Sequence, residues 1–195
     1  MPSSDSLVLL AGGRSSRLGT PKGLVRVEGR PWIAHQLDAA DRAGLRVIAV
    51  LGFDHSRYAA ELPELASRAV VVVNPLPERG PFSSLQCGLA LVGAGRAFVL
   101  PIDVPAPDAP VWRALRGALT EGFDAAVPVH DGHGGHPVLL SARMVERLLR
   151  LESASRLDVE LRASAVARVA VADARVLMNL NSPEEWIAAG AEPAT

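Results

Sequence analysis

Apolar residues fall in short unbroken runs along the chain, at Leu7 to Ala11, Val47 to Leu51, Ala69 to Val73, Ala97 to Ile102 and Ala125 to Val129. Runs of Val, Ile and Leu without polar alternation describe strands covered on both faces, and the segments between them carry helical spacing. The stretch from Pro31 to Gly44 begins on a proline suited to a first helical turn and stops at a glycine suited to a left-handed end. Trp32, Ile33, Leu37 and Ala40 form its apolar stripe. Further helices are predicted from Ser83 or Ser84 through Leu85, Leu89 and Leu91, over roughly Val111 to Leu119, and over Ala142 to Leu151, the last preceded by a strand in PVLLS. Ser182, Pro183 and Glu185 predict a final helix that opens on a capping box. Strands alternating with helices predict an α/β protein, a three-layer sandwich around a mostly parallel central sheet.

Length and composition narrow the class. A chain of 195 residues, 49% hydrophobic and 21% charged, is expected to form one soluble domain. No apolar run approaches the roughly 18 residues of a membrane span. The opening MPSSDSLVLLAGG lacks the basic region and cleavage pattern of a secretory signal, so a cytoplasmic location is expected. The lone Cys87 rules out an internal disulfide. A net charge of −1 suggests neither a nucleic acid nor a membrane as partner. Positive charge is nevertheless concentrated near the start: residues 1–30 carry Arg14, Arg17, Lys22, Arg26 and Arg30 against Asp5 and Glu28. Lys22 is the only lysine among the 20 Lys and Arg residues.

Open α/β sheets bind ligands outside the carboxyl ends of their strands, and four polar clusters fall there. The first is LAGGRSSRLGTPKG. Gly12 and Gly13 leave backbone N–H groups uncovered for a phosphate, and Arg14, Arg17 and Lys22 can neutralise its charge, so the loop reads as a polyphosphate cradle. It is not a Walker A loop, because Gly13 and Gly19 enclose five residues and Thr20-Pro21 precedes Lys22. It is not the dinucleotide fingerprint G-x-G-x-x-G either, and it is expected to be long and non-helical. The second cluster is Asp103, directly after a buried strand, where a carboxylate beside phosphates suits Mg²⁺ or simply a turn. Asp108, farther on, reads as a helix N-cap. In the third, NPLPERGPFSSL, Gly80 between prolines makes a rigid loop, and Ser83 and Ser84 offer hydroxyls either to a base or phosphate or to the helix start. The fourth is LMNLNS, where Asn179 and Asn181 share one face of an extended segment and Asn181 can offer a carbonyl oxygen to Mg²⁺ or serve as a turn residue. In HDGHGGH, His130, His133 and His136 are better suited to a substrate-facing or solvated loop than to a transition metal, because the glycines fix no geometry.

Taken together, LAGGRSSRLGTPKG, NPLPERGPFSSLQCGL, FVLPIDVP, HDGHGGHPVLLS and NLNSPEEW, in that order, resemble the MobA-like nucleotidyltransferases. That group contains molybdenum cofactor guanylyltransferase and molybdopterin cytidylyltransferase. The resemblance spans most of the chain and implies a Rossmann-like, glycosyltransferase-A-like fold. In it the N-terminal half binds the nucleotide and the C-terminal half the acceptor. It implies Arg17, Lys22 and Asp103 as catalytic residues. Leu10, Ala11, Gly12, Gly13, Arg14, Lys22, Asn74, Ser83, Ser84 and Leu85 would lie around the nucleotide. Asp103 and Asn181 would hold Mg²⁺, and His130, His136 and Asn179 would lie around the acceptor. The implied partners are GTP or CTP, a phosphorylated acceptor such as molybdopterin, and molybdoenzyme maturation proteins. LAGG, HDG followed by HP, and NLNSPEE resemble the guanylyltransferases, whereas PFSSLQCGL is nearer the cytidylyltransferases; GTP is favoured. A sugar-phosphate nucleotidyltransferase and a nucleotide-binding accessory protein without catalysis are the alternatives.

Overall fold

A computed structural model of the chain describes residues 5–15 and 18–192. Strand β1 (Ser6–Ala11) is followed by the hairpin strands β2 (Arg26–Val27) and β3 (Arg30–Pro31), helix α1 (Trp32–Arg42), β4 (Arg46–Leu51), the short helices α2 (His55–Glu61) and α3 (Leu65–Arg68), and β5 (Val70–Val73). Next come α4 (Pro81–Leu89), β6 (Ala97–Pro101), α5 (Ala109–Ala118), β7 (Ala125–His130), β8 (His133–Gly134) and β9 (Val138–Leu140). The chain ends through α6 (Ala142–Leu149), α7 (Leu157–Arg162), β10 (Val166–Ala170) and α8 (Pro183–Ala188).

The main sheet is ordered β10-β7-β9-β6-β1-β4-β5, with β8 added to β7. Pairing is parallel between β1 and β4, β1 and β6, β4 and β5, and β7 and β10. Strand β9 is the exception, running antiparallel to both β6 and β7. The sheet is therefore mostly parallel, as the uninterrupted apolar runs predict.

Alternation along β1 separates two apolar layers. Leu7, Leu9 and Ala11 point into the layer holding Trp32, Ile33 and Trp112, while Val8 points into the layer holding Phe82, Leu85 and Met144. Helices α1, α5 and α8 cover the first face and α4 and α6 the second, which makes the three-layer sandwich. Helix α4 lies unusually close to the sheet, because a methyl group on Gly88 would collide with Val8 and stand 2.8 Å from a methyl of Val50. At the amino edge, the carboxylate of Asp5, only 6% exposed, accepts hydrogen bonds from Arg96 and Arg116 at 2.7 to 3.1 Å.

Several elements depart from the sequence reading. Helix α4 starts at Pro81, ahead of the serines, because Gly80 takes φ 96° and proline fits a first turn that needs no N–H donor. Asp108 does occupy the position before α5, but its side chain caps nothing; its carboxylate meets Arg175 at 2.6 Å. The opening loop is not wholly irregular, since Lys22–Leu24 closes a single 3₁₀ turn. No helix among the described residues is long and apolar enough to cross a membrane.

Candidate active site

The loops leaving β1, β4 and β6 meet at the carboxyl edge of the sheet. Gly12 follows β1 and is packed against Gly52, which follows β4. A methyl group on Gly52 would collide with the Gly12 carbonyl oxygen, and one on Gly12 would stand 3.2 Å from Ser84 Oγ. That hydroxyl belongs to a buried network. Asn74 Nδ2 donates to Ser83 Oγ at 2.9 Å and to Ser84 Oγ at 3.0 Å, Leu76 N–H donates to Asn74 Oδ1 at 3.0 Å, and the Ser83 hydroxyl donates to the Gly80 carbonyl at 2.8 Å. Asn74, Ser83 and Ser84 are all buried. Their polar groups thus shape the loop between β5 and α4 and buttress Gly12. Of the two uses the sequence offers for the Ser83 hydroxyl, a base or phosphate and the helix start, its bond to Gly80, the residue before α4, is of the second kind. Ala11 and Leu85 are buried in opposite apolar layers. Gly13 and Arg14 are exposed, the Arg14 guanidinium lying 4.0 Å from the centre of the Phe53 ring as a cation–π pair. Arg17 lies outside the described residues.

Lys22 is placed by its backbone. Its own N–H donates to Ser15 Oγ at 3.1 Å, and the next N–H, of Gly23, donates to the buried hydroxyl of Tyr58 at 3.0 Å. Gly23 is required there, because a Cβ would stand 2.5 Å from that hydroxyl oxygen. The ammonium then reaches two side chains remote in sequence: Nζ donates to Asp103 Oδ2 at 2.7 Å and to Asn181 Oδ1 at 2.8 Å. The lysine and aspartate side chains are 15% and 20% exposed, so the pair sits in a cleft that dampens solvent screening.

The other two corners are equally well held. Asp103 follows β6, which is anchored by Ile102 N–H to the Leu10 carbonyl, and the Asp103 carbonyl accepts the N–H of Leu180 at 2.8 Å. This last bond brings in Asn181. The Glu185 carboxylate of the α8 capping box then accepts two hydrogen bonds, from Asn181 N–H at 2.6 Å and Ser182 N–H at 2.9 Å. These two donors hold the Glu185 carboxyl below the usual glutamate range. A capping box legible in the sequence therefore also fixes a site residue.

Asp103 and Asn181 offer oxygens that converge on one cationic point. Such hard oxygen donors suit Mg²⁺, which binds through one or two protein groups and completes its shell with phosphate oxygens and water. The histidines are arranged otherwise. His136 is half-buried: its N–H donates to the Val176 carbonyl at 2.8 Å, and its buried ring Nδ1 has no partner. Burial pushes its pKa down, against the opposing effects of the Val99 carbonyl and the Asp103 charge, so the ring is held neutral. His130 is at the end of β7 with Nδ1 3.0 Å from the Val171 carbonyl, and it pairs across the hairpin with exposed His133. Asn179 is exposed, and its carbonyl accepts Asn181 Nδ2 at 3.3 Å. Among the described residues no group of three or more His, Cys, Asp and Glu is placed to hold a metal.

Beside this centre opens a cavity of about 900 Å³. Leu10, Val99 and Val127 form its sheet side, Phe82 and Leu85 of α4 one wall and Leu157 and Leu161 of α7 another. His136 lies on its lining, together with Arg79, Arg156, Arg162 and Arg168. Arg156 and Arg162 share Asp158 as a counter-ion, at 3.0 and 3.2 Å.

Residues 7–171 match the family model of the MobA-like NTP transferase domain. The chain belongs to the MobA-like NTP transferase family, and it is a nucleotidyltransferase. It is 30% identical to the molybdenum cofactor guanylyltransferase of Pseudomonas fluorescens, over 94% of this chain and 92% of that one. It is 23% identical to the molybdenum cofactor cytidylyltransferase of Escherichia coli K12, over 96% of each. Among solved structures it is similar to Rv0371c of Mycobacterium tuberculosis H37Rv, with a TM-score of 0.80 at 24% identity, covering 97% of this chain and 98% of that one.

Membership in the MobA-like family leaves some site residues that motif reading does not reach. Tyr58 lies in the short helix α2, of which it is the one buried residue, and in no motif; only the unexplained glycine after Lys22 hints that something must approach closely there. The arginines of α7 look in sequence like any solvated charge, because nothing local shows that the helix walls a cavity.

Proposed function

We propose that this MobA-like enzyme transfers GMP from GTP to the phosphate of molybdopterin, releasing pyrophosphate, with Mg²⁺ held by Asp103 and Asn181. The observation that carries the reading is the meeting of Lys22, Asp103 and Asn181 within 2.8 Å, beside the glycine loop after β1 and next to the large cavity. The names of the similar guanylyltransferases support the base and the acceptor. The cavity supports an acceptor with a broad ring body: its volume is that of a small-molecule pocket, its sheet side is apolar, and four arginines can meet a phosphate.

The acceptor phosphate has a second pKa of about 6, so it is already ionised at neutral pH and needs no general base. One of its oxygens attacks the α-phosphorus of GTP. A new P–O bond forms as the bond from the α-phosphorus to the bridging oxygen breaks, and the electron pair leaves with pyrophosphate. The protein's task is in-line positioning and cancellation of repulsion between anions. Exposed Gly13 offers its backbone N–H to phosphate oxygens, and buried Gly12 before it is kept in place by Gly52 and Ser84. Lys22 and Arg14, with Arg17, neutralise the triphosphate and the departing pyrophosphate. Neutral His136 adds no positive charge to the acceptor side and can accept a hydrogen bond. When bound, Mg²⁺ supplies Lewis-acid stabilisation of charge on the phosphate oxygens.

A thermal-shift panel of GTP, CTP, ATP and UTP with Mg²⁺ tests the nucleotide assignment. A ligand at 100 times its Kd adds about 2.7 kcal/mol of stability, enough to rank the bases. GTP is expected to give the largest shift, reduced in Asp103→Ala. A larger shift with CTP, or equal shifts from all four, would overturn the guanine preference.

A further inference from the structure

The same two oxygens assigned to the metal are the two partners of the Lys22 ammonium. A Mg²⁺ ion needs its oxygens at about 2.0–2.1 Å, so it cannot share Asp103 Oδ2 and Asn181 Oδ1 with an ammonium at the same point. One cation must leave before the other binds. We propose that Lys22 is a tethered counter-ion: without nucleotide it fills the metal position, and a triphosphate draws it away and so opens Asp103 and Asn181 to the divalent cation. The proposal rests on the reading that Asp103 and Asn181 hold the metal.

Charge and geometry favour the exchange. In the nucleotide-free site the Asp103 carboxylate is neutralised by Lys22, so an arriving divalent ion gains little and must break a partly buried ion pair. A bound triphosphate offers the same ammonium several anionic oxygens, and Lys is a compact point charge on a flexible stem able to move between the two sets of partners. The stem starts from a fixed point, since Ser15 and Tyr58 hold the backbone at Lys22 and Gly23. Arg would fit the role badly, because its planar fork cannot imitate a small ion between two oxygens. The device makes metal and nucleotide binding mutually reinforcing, a coupling that in other proteins amounts to about 5- to 150-fold in affinity.

Mn²⁺ titrated without nucleotide, with free Mn²⁺ followed by electron paramagnetic resonance, tests the inference. Lys22→Met is expected to bind Mn²⁺ at least about fivefold more tightly than the wild-type protein, and Asp103→Asn in that background is expected to abolish the gain. Equal or weaker Mn²⁺ binding by Lys22→Met would overturn the proposal. A second readout needs no variant. Because Lys22 is the only lysine, biosynthetic labelling with ¹⁵N-ζ lysine gives a single side-chain signal. That signal is expected to shift when a non-hydrolysable nucleoside triphosphate is added without metal, as the ammonium leaves Asp103 and Asn181. No shift while the nucleotide raises the melting temperature would contradict the exchange. Mn²⁺ bound equally by the wild-type protein and Lys22→Met but lost in Asp103→Asn would remove the counter-ion role alone, whereas Mn²⁺ binding unchanged by Asp103→Asn would remove the metal assignment on which it rests.

Discussion

The ammonium of Lys22 has two duties at one atom, contact with Asp103 and Asn181 and neutralisation of phosphate charge. Lys22→Ala removes both. Turnover, measured as pyrophosphate release, is expected to fall by about 100-fold or more, the usual loss on deleting a preorganised charge-stabilising donor. Lys22→Arg is expected to recover little of it, since the fork replaces a point charge; activity near wild type would show the lone lysine to be interchangeable with arginine. At this scale the sequence was informative where a residue type and its position both carry chemistry. Lys22 and Asp103 stood out for that reason. Asn74, Ser83 and Ser84 stand out too, but Asn74 donates to both serines and the network is completed by the backbone of Leu76 and Gly80, a pairing that only three-dimensional proximity shows. Tyr58 was silent because its role, accepting the Gly23 N–H, lies in a contact 35 residues away in the chain.

At the scale of elements, the placement of Asn181 depends on the start of α8. The Glu185 carboxyl is held below its ordinary value of 4.5 first by the Asn181 N–H and then by the Ser182 N–H. A depressed carboxyl pKa stabilises the fold above the unfolded value, and the contribution fades as pH falls through the folded value. The melting temperature of the wild-type protein should therefore exceed that of Glu185→Gln at neutral pH, and the gap should close as pH drops below 4.5. A gap independent of pH would remove the carboxylate from the account. Element types with long periodic or unbroken apolar runs were legible, β1, β4, β6, β7 and α1 among them. Helix α7 and strand β10 were not, because six residues in LDVELR are too few to show a period and VARVA is only partly covered. The reversed direction of β9 could not be read from VLL, since a strand buried on both faces has the same pattern in either direction.

At the scale of the whole molecule, the sheet gathers loops from both halves of the chain at its carboxyl edge, while Asp5 ties the opposite edge together. Arg96 and Arg116 approach this carboxylate from the chain before β6 and from α5. Removing the charge with Asp5→Asn leaves two guanidiniums without their shared partner. Both retain some solvent, so the cost should be about 2 kcal/mol, below the 3–5 kcal/mol of a fully buried pair. For a chain of this length that corresponds to a melting temperature lower by roughly 4–8 °C. Nucleotide-dependent shifts should persist in this variant, because the change is at the far edge from the glycine loop. The layered architecture was legible from the order of apolar runs and helices, whereas the cavity was not: its walls come from α4, α7 and four or more strands that no local pattern joins.

The central claim is that the meeting point of Lys22, Asp103 and Asn181 is where nucleotidyl transfer occurs. Pyrophosphate release from GTP, measured with Mg²⁺ and molybdopterin and compared between the wild-type protein and Asp103→Ala, tests it most directly. The account predicts release that requires acceptor and Mg²⁺ together and falls by about 100-fold or more in the variant. Release at an undiminished rate in Asp103→Ala, or none from the wild-type protein with any nucleoside triphosphate, would contradict it.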